Sequence, residues 1–228
     1  MTRLEDTGAD ISVCNFWTHS FTSVQTLKFC CSLYVGQESL KALVGGQISN
    51  YVWNKLFQKK VFNKFSFPYG RNHEDIASMH LFLDQAERVV VVDALKYHYR
   101  LREGSITKTY SAENLVAYAD AYLRQYSFIK NKYAALFTDA QDELLLLPAK
   151  GISRLWRWWY GCDRNERKSH AARVKEYCDF TRKRIPFFGF RSWPKLLRVS
   201  TIFMYSRSIS SFAVMYWLNQ VYRKLGSI

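Results

Sequence analysis

The residues best suited to chemistry in this 228-residue chain form one run, Phe65 to Asp75 (FSFPYGRNHED), where the carboxylates Glu74 and Asp75 follow a Pro68-Tyr69-Gly70 turn. A carboxylate pair held between a turn and a helix start is pre-positioned by the backbone, which suits a general base taking a proton from a hydroxyl. The same pair has a structural use, because acids in a first helical turn complement the macrodipole; on residue types alone both readings stand. The other candidate groups are dispersed. Of five histidines (His19, His73, His80, His98, His170) only His73 lies near the carboxylates, and a partly exposed histidine is a simpler reading for His73 and His98 than a metal ligand. Five cysteines (Cys14, Cys30, Cys31, Cys162, Cys178) contain no Cys-x-x-Cys, so neither a zinc site nor a disulfide framework is indicated. Cys30 and Cys31 read as buried small residues, and a reducing compartment as their setting.

The elements that must position these groups can be read from periodicity. Ala9 to Trp17 reads as a strand after a Thr7-Gly8 turn, and Val24 to Phe29 as a second. Gln37 to Val44 is a short helix stopped by Gly45-Gly46, whereas Ile48 to Phe62 mixes apolar and basic residues without a clean period. Glu74 to Ala86 places Ile76, Met79, Phe82 and Leu83 at helical spacing. Arg88 to Asp93 is a buried strand, and Leu95 to Arg102 alternates like a half-exposed one. From Ser111 the period turns helical: one helix from Ser111 to Phe137, one from Ala140 to Trp159 that Pro148 should kink or divide, and a charged one from Glu166 to Arg184. An aromatic, proline-bounded linker (Pro186 to Pro194) then leads to a last helical segment, Trp193 to Leu225.

Five ordered blocks carry a family resemblance. Trp53-Asn54-Lys55-Leu56-Phe57, Phe67-Pro68-Tyr69-Gly70, Glu74-Asp75, Tyr97-His98-Tyr99-Arg100 and Arg102-Glu103-Gly104-Ser105-Ile106 resemble the second half of bacterial glycosyltransferase family 2 proteins. There a W-x-K-L-[YF] strand, an F-P-x-G turn, an E-D pair opening a helix, a Y-x-Y-R strand and an R-x-G-S-I segment follow one another. With ADISVCNF, which is similar to the strand after that family's metal-binding aspartates, the resemblance extends over about residues 1–130. It implies an α/β fold, namely a partial nucleotide-diphospho-sugar transferase (GT-A-like) fold over residues 1–110, followed by an all-helical, basic extension over residues 111–228.

The implied activity is inverting transfer of a sugar from a nucleoside-diphosphate donor to the hydroxyl of a glycan or lipid-linked acceptor in surface polysaccharide synthesis. Asp75 matches the catalytic base of the family and Glu74 its neighbour. Trp53, Lys55, His73, Arg100, Arg102 and Ser105 fall where donor or acceptor contacts are expected; Trp53 also reads as core, and the arginines as strand-end residues facing water. The family works with Mg²⁺ or Mn²⁺, yet no Asp-x-Asp occurs in these 228 residues and no metal ligand is assigned. A pyrophosphate leaving group needs a metal or an equivalent cationic clamp. The expectation is therefore a chain that is incomplete and inactive alone, with a non-catalytic membrane-surface module as the alternative. The proline that the family usually has before Y-x-Y-R is also missing from Asp93-Ala94-Leu95-Lys96.

Charge separates the two parts. Residues 1–110 hold 13 Lys/Arg and 10 Asp/Glu, whereas residues 149–228 hold 17 and 4, together with five of the seven tryptophans. So uneven a distribution argues against a nucleic-acid-binding domain and for a basic, aromatic tail. Leu155 to Tyr160 (LWRWWY) and Arg182 to Trp193 interleave cations and aromatics, which suits an anionic membrane surface; the alternative is a solvated basic helical bundle that packs its aromatics on the first domain. Val199 to Leu218 has the length of a membrane span, but Arg207 and five serines make one face polar, as in an interfacial helix. Met1 to Asp10 has no apolar core, so no secretory leader is read there. The expected location is cytoplasmic, peripheral at the inner face of the membrane.

Overall fold

A computed structural model describes residues 6–19, 24–27, 30–100, 111–187, 189–195, 197–198, 201, 213–214, 216–218 and 220–221. The chain is mixed α/β and divides into two compact units: residues 1–108 with 131–136, and residues 109–130 with 137–228.

The first unit is built on a five-stranded sheet. Its strands are β1 (Ile11–His19), β2 (Val24–Leu27), β3 (Ser32–Val35), β4 (Lys55–Phe57) and β5 (Arg88–Arg100). β1 and β5 pair in parallel at the centre; β3 lies antiparallel on the outer side of β5. The far edge of β1 is shared, with β4 antiparallel along Ile11–Val13 and β2 antiparallel along Phe16–His19. The row Tyr34, Val89, Ile11, Phe57 runs across four strands toward the core. Helices α1 (Glu38–Gly45) and α2 (Glu74–Gln85) pack Leu40, Leu43, Met79, Phe82 and Leu83 into the same cluster.

Asp10 joins three segments at the head of this sheet. Its buried carboxylate accepts the Glu87 and Arg88 amides at 2.6 and 3.2 Å and pairs with Lys60 at 2.6 Å, in a short 3₁₀ turn (Lys59–Phe62). Asp84, at the end of α2, receives Lys132 at 2.8 Å and the hydroxyl of Tyr133, which fastens residues 131–136 to this unit.

The second unit is helical among its described residues. It contains most of α3 (Ala112–Tyr133), α4 (Gln141–Leu144), α5 (Leu146–Trp158) and α6 (Arg164–Arg184). Asp163 caps α6 by accepting the Asn165 and Glu166 amides at 2.8 and 3.2 Å. Its core joins Leu115, Val116 and Ala119 of α3 with Ile152, Leu155 and Trp156 of α5 and with Val174 and Tyr177 of α6. Gly151 makes the α3–α5 contact possible, since a Cβ there would stand 3.0 Å from the Ala119 Cα.

Several expectations need correction. Ser32–Val35 is a strand that the sequence reading did not foresee. Arg88 to Arg100 is one strand, because the extra residues Asp93, Ala94 and Lys96 are absorbed as irregularities in the β1–β5 register. The helix expected from Ala140 is divided at Leu145, and Pro148 sits in the first turn of α5, where a missing N–H costs no intrahelical bond. Cys30 and Cys31 are exposed. Trp156, Trp159 and Trp193 are buried, so in LWRWWY the aromatics furnish core more than surface. No described helix is long and apolar enough to cross a membrane. Most of Val199–Leu218 lies outside the described residues.

Candidate active site

The start of α2 is locally unusual. His73, the residue before the helix, has φ 63° and ψ 36°, and it is the only non-glycine with positive φ among the described residues. Left-handed backbone at a bulky residue stores strain and concentrates at functional sites. The turn before it has Gly70 at φ 66° with open space around it, so its conformation, and not crowding, is what calls for glycine there. The first helical bond runs from the Ala77 amide to the His73 carbonyl at 3.1 Å, and the His73 side chain does not cap the helix.

Asp75 takes part of that task. Its Oδ1 accepts the adjacent Ile76 amide at 2.7 Å. Burial pushes its carboxyl above the usual carboxylate range and neighbouring Glu74 pushes the same way; the Ile76 amide and the Lys55 ammonium act in the opposite direction without cancelling them. Glu74 itself is exposed. A half-buried carboxylate with raised basicity at a helix start is a group suited to act as a general base.

Lys55 is buried on the core side of β4, and its ammonium is used internally. It donates to the Ser49 and Tyr51 carbonyls at 2.9 and 2.6 Å, and it lies 3.2 Å from Ser49 Oγ and 3.0 Å from Asn54 Oδ1. Burial pulls its pKa down to about 7, while Cys14 and Asp75 favour the charged form. Asn54 in turn donates to the Cys14 carbonyl at 2.9 Å. Lys55 on β4 therefore holds loop 49–54, and Asn54 joins that loop to β1, within electrostatic reach of Asp75.

That loop presents Trp53 to a group of aromatics. Its indole is stacked on Tyr51 and Tyr99 at 4.8 and 4.9 Å, lies tilted over Tyr97 at 4.6 Å and meets Phe16 edge-on at 4.6 Å. Phe16 is buried; Tyr51 and Tyr97 are 40% and 36% exposed, so the cluster has a floor in the core and an open tyrosine rim. Sequence reasoning singled out Trp53 alone. The spacing Tyr97-x-Tyr99 is a signal in the sequence, since alternate residues of a strand share a face, whereas Tyr51 and Trp53 are brought together by a turn that no spacing announces.

Asp75, Glu74 and His73 thus gather at one helix start, with Lys55 behind them and Trp53 on the loop that Lys55 holds. Arg100 is exposed at the end of β5, opposite His19 in register, and no described contact joins it to Asp75. Arg102 and Ser105 lie outside the described residues. Among the described residues no three His, Cys, Asp or Glu side chains come together to hold a metal ion. The described residues therefore do not fit the Mg²⁺ or Mn²⁺ that the resemblance implies.

No protein-family model matches the chain. The glycosyltransferase GlyG of Streptococcus pneumoniae serotype 4 (strain ATCC BAA-334 / TIGR4) is 26% identical over 122 residues, covering 47% of this chain and 39% of that protein. The chain is related to a glycosyltransferase. It spans well under half the length of the relative it matches.

Proposed function

We propose that the chain supplies the acceptor-side part of an inverting, family 2-type glycosyltransferase, with Asp75 as general base. The observation that carries this reading is the Asp75 carboxylate, raised in basicity by burial at a helix start that opens from a left-handed His73. In the proposed step Asp75 takes the acceptor hydroxyl proton and the oxygen attacks the anomeric carbon. The bond from that carbon to the nucleoside diphosphate breaks, and its electron pair leaves with the diphosphate. The open rim of Tyr51 and Tyr97 around Trp53 gives an acceptor sugar ring an aromatic surface to lie on. His73 orients the helix start, and Arg100, Arg102 and Ser105 supply contacts to acceptor or leaving group. With no Asp-x-Asp in the sequence, donor and Mg²⁺ or Mn²⁺ are assigned to a further polypeptide segment.

Complementation tests the base. In a strain whose surface polysaccharide changes when the gene is deleted, the wild-type chain restores it and Asp75→Asn, at equal protein level, does not; restoration by Asp75→Asn removes the assignment. Titration of the 228-residue chain with nucleoside-diphosphate sugars and Mn²⁺ tests the division of labour. The expected result is no saturable binding below millimolar concentration, and donor-dependent turnover by this chain alone overturns it.

A further inference from the structure

The helical unit holds a second candidate site of different chemistry. A cleft of about 370 Å³ is lined by Trp159, Tyr160, Arg164, Arg167, Lys168 and Ala171. Three of its six lining residues are cations and none is an acid. Arg164, Arg167 and Lys168 stand at i, i+3 and i+4 of α6 and therefore share one helical face. Like charges stacked in this way repel one another, and the first turns of a helix are where its dipole disfavours cations.

The nearby acids relieve this only in part: Asp163 attracts Arg167, but both acids are committed to backbone amides. Asp163 is engaged by the Asn165 and Glu166 amides, and Glu166 Oε2 accepts the Ala112 amide at 2.9 Å. The Arg167 guanidinium lies 4.5 Å over the Tyr160 ring, which fixes it at the cleft. Its Nε is sealed from solvent and has no hydrogen-bond partner. A buried donor on a charged side chain, left unmatched beside a lining that holds three cations and no acid, is an arrangement that an anion with several acceptor oxygens completes.

We propose that this cleft binds a phosphate ester, with Arg167 donating through its guanidinium fork while Arg164 and Lys168 neutralise the remaining charge. A tetrahedral oxyanion suits the site because one phosphate offers acceptors to a planar guanidinium and to point-like ammonium groups at once. The proposal is independent of the transfer chemistry assigned to Asp75. Two sources present the same group: a soluble diphosphate and the headgroup of an anionic phospholipid.

The experiment uses the full chain and two probes. Isothermal titration calorimetry with sodium pyrophosphate reads the soluble source, and flotation with phosphatidylglycerol against phosphatidylcholine vesicles reads the membrane source. The cleft variant is Arg164→Gln with Arg167→Gln and Lys168→Gln. A charge-matched control carries Lys183→Gln, Lys195→Gln and Arg191→Gln, all exposed and none of them lining the cleft. Expected is one-site binding of pyrophosphate that weakens about tenfold or more in the cleft variant and stays within about twofold in the control.

Binding of phosphatidylglycerol vesicles alone, lost in the cleft variant and kept in the control, supports the site with a lipid headgroup as its ligand. Binding of neither probe overturns the proposal, and so does equal loss in both variants, which reports bulk charge only. If the triple variant does not fold, Arg167→Lys keeps the charge but loses the fork. Unchanged affinity in that variant also overturns the assignment.

Discussion

At the scale of single residues, the difference between a catalytic and a structural carboxylate is visible in Asp75 and Asp10. Both contact backbone amides, but their environments push them in opposite directions. Burial raises the Asp75 carboxyl and the compensating contacts are few. Burial also raises Asp10, but the hydrogen bond from Lys60, then the Glu87 and Arg88 amides and the Lys60 charge, outweigh it and leave the carboxyl below its ordinary range. For Asp75 the sign of the linkage is that the folded state favours the protonated form, so the ionised carboxylate costs stability above its folded pKa and nothing below its unfolded one. Asp75→Asn is therefore expected to stabilise the fold at pH 7 by on the order of 1 kcal/mol while removing function, and the gain should vanish by about pH 3.5. Urea unfolding of both proteins at the two pH values measures this. An equal loss of stability at both values would instead make Asp75 a helix-start ligand only. The pair Glu74-Asp75 was legible because two acids after a Pro-x-Gly turn are conspicuous. The burial that separates their roles was not, since it depends on β4 and the Lys55 tether arriving from elsewhere in the chain.

At the scale of elements, the long periodic segments were readable and the short or irregular ones were not. α2 and α3 were expected within a residue or a few of where they stand, because their apolar residues recur at helical spacing for three turns or more. β3 escaped because four residues, Ser32 to Val35, carry one buried-side aromatic and two exposed apolar side chains; only pairing with β5 makes them a strand. β5 was divided in the sequence reading because Asp93 to Lys96 breaks the alternation, whereas the strand runs on through the irregular register and Asn15 donates to Asp93 at 3.1 Å across it. What aligns the heads of β1 and β5 with the 3₁₀ turn is Asp10. Asp10→Ala leaves two amides without their acceptor and releases Lys60, so it should cost about 2–4 kcal/mol in urea unfolding at pH 7. Because its pKa is lowered, the Asp10 contribution is present above the unfolded pKa of about 3.9 and is lost as pH falls through the folded value; the difference between wild type and variant should shrink below pH 4. A difference that persists unchanged to pH 2 would place the cost in packing and not in the carboxylate.

At the scale of the whole chain, composition carries the asymmetry of charge between the units, whereas packing decides how the aromatics are used. The unit of residues 1–108 and 131–136 holds 14 Lys/Arg against 10 Asp/Glu, whereas the helical unit holds 19 against 9, a net of +10. Interleaved tryptophans and cations in LWRWWY suggested a surface belt. In a helix, however, residues one apart point to different sides, so Trp156 and Trp159 face the core while Arg157 turns away and bonds back to the Ser153 carbonyl at 3.3 Å. The tryptophans thus stabilise this unit by burial while its surplus charge opposes compactness. Few acids are placed to neutralise it: Arg173 pairs with Asp120 and Glu176, and Arg182 with Asp179, all at the surface where such pairs contribute little. Self-repulsion of this kind is screened by salt over a distance of about 10 Å at 0.1 M. Raising NaCl from about 20 mM to about 0.5 M should therefore stabilise the helical unit by on the order of 1 kcal/mol and leave the α/β unit nearly unchanged. Five of the seven tryptophans lie in the helical unit, so the midpoint of the fluorescence transition reports mainly on it, and the loss of protection of β1 and β5 amides in hydrogen exchange reports on the other. Equal shifts of both would show that salt acts on the chain generally, through its solvent, and not on the charge gathered in one unit.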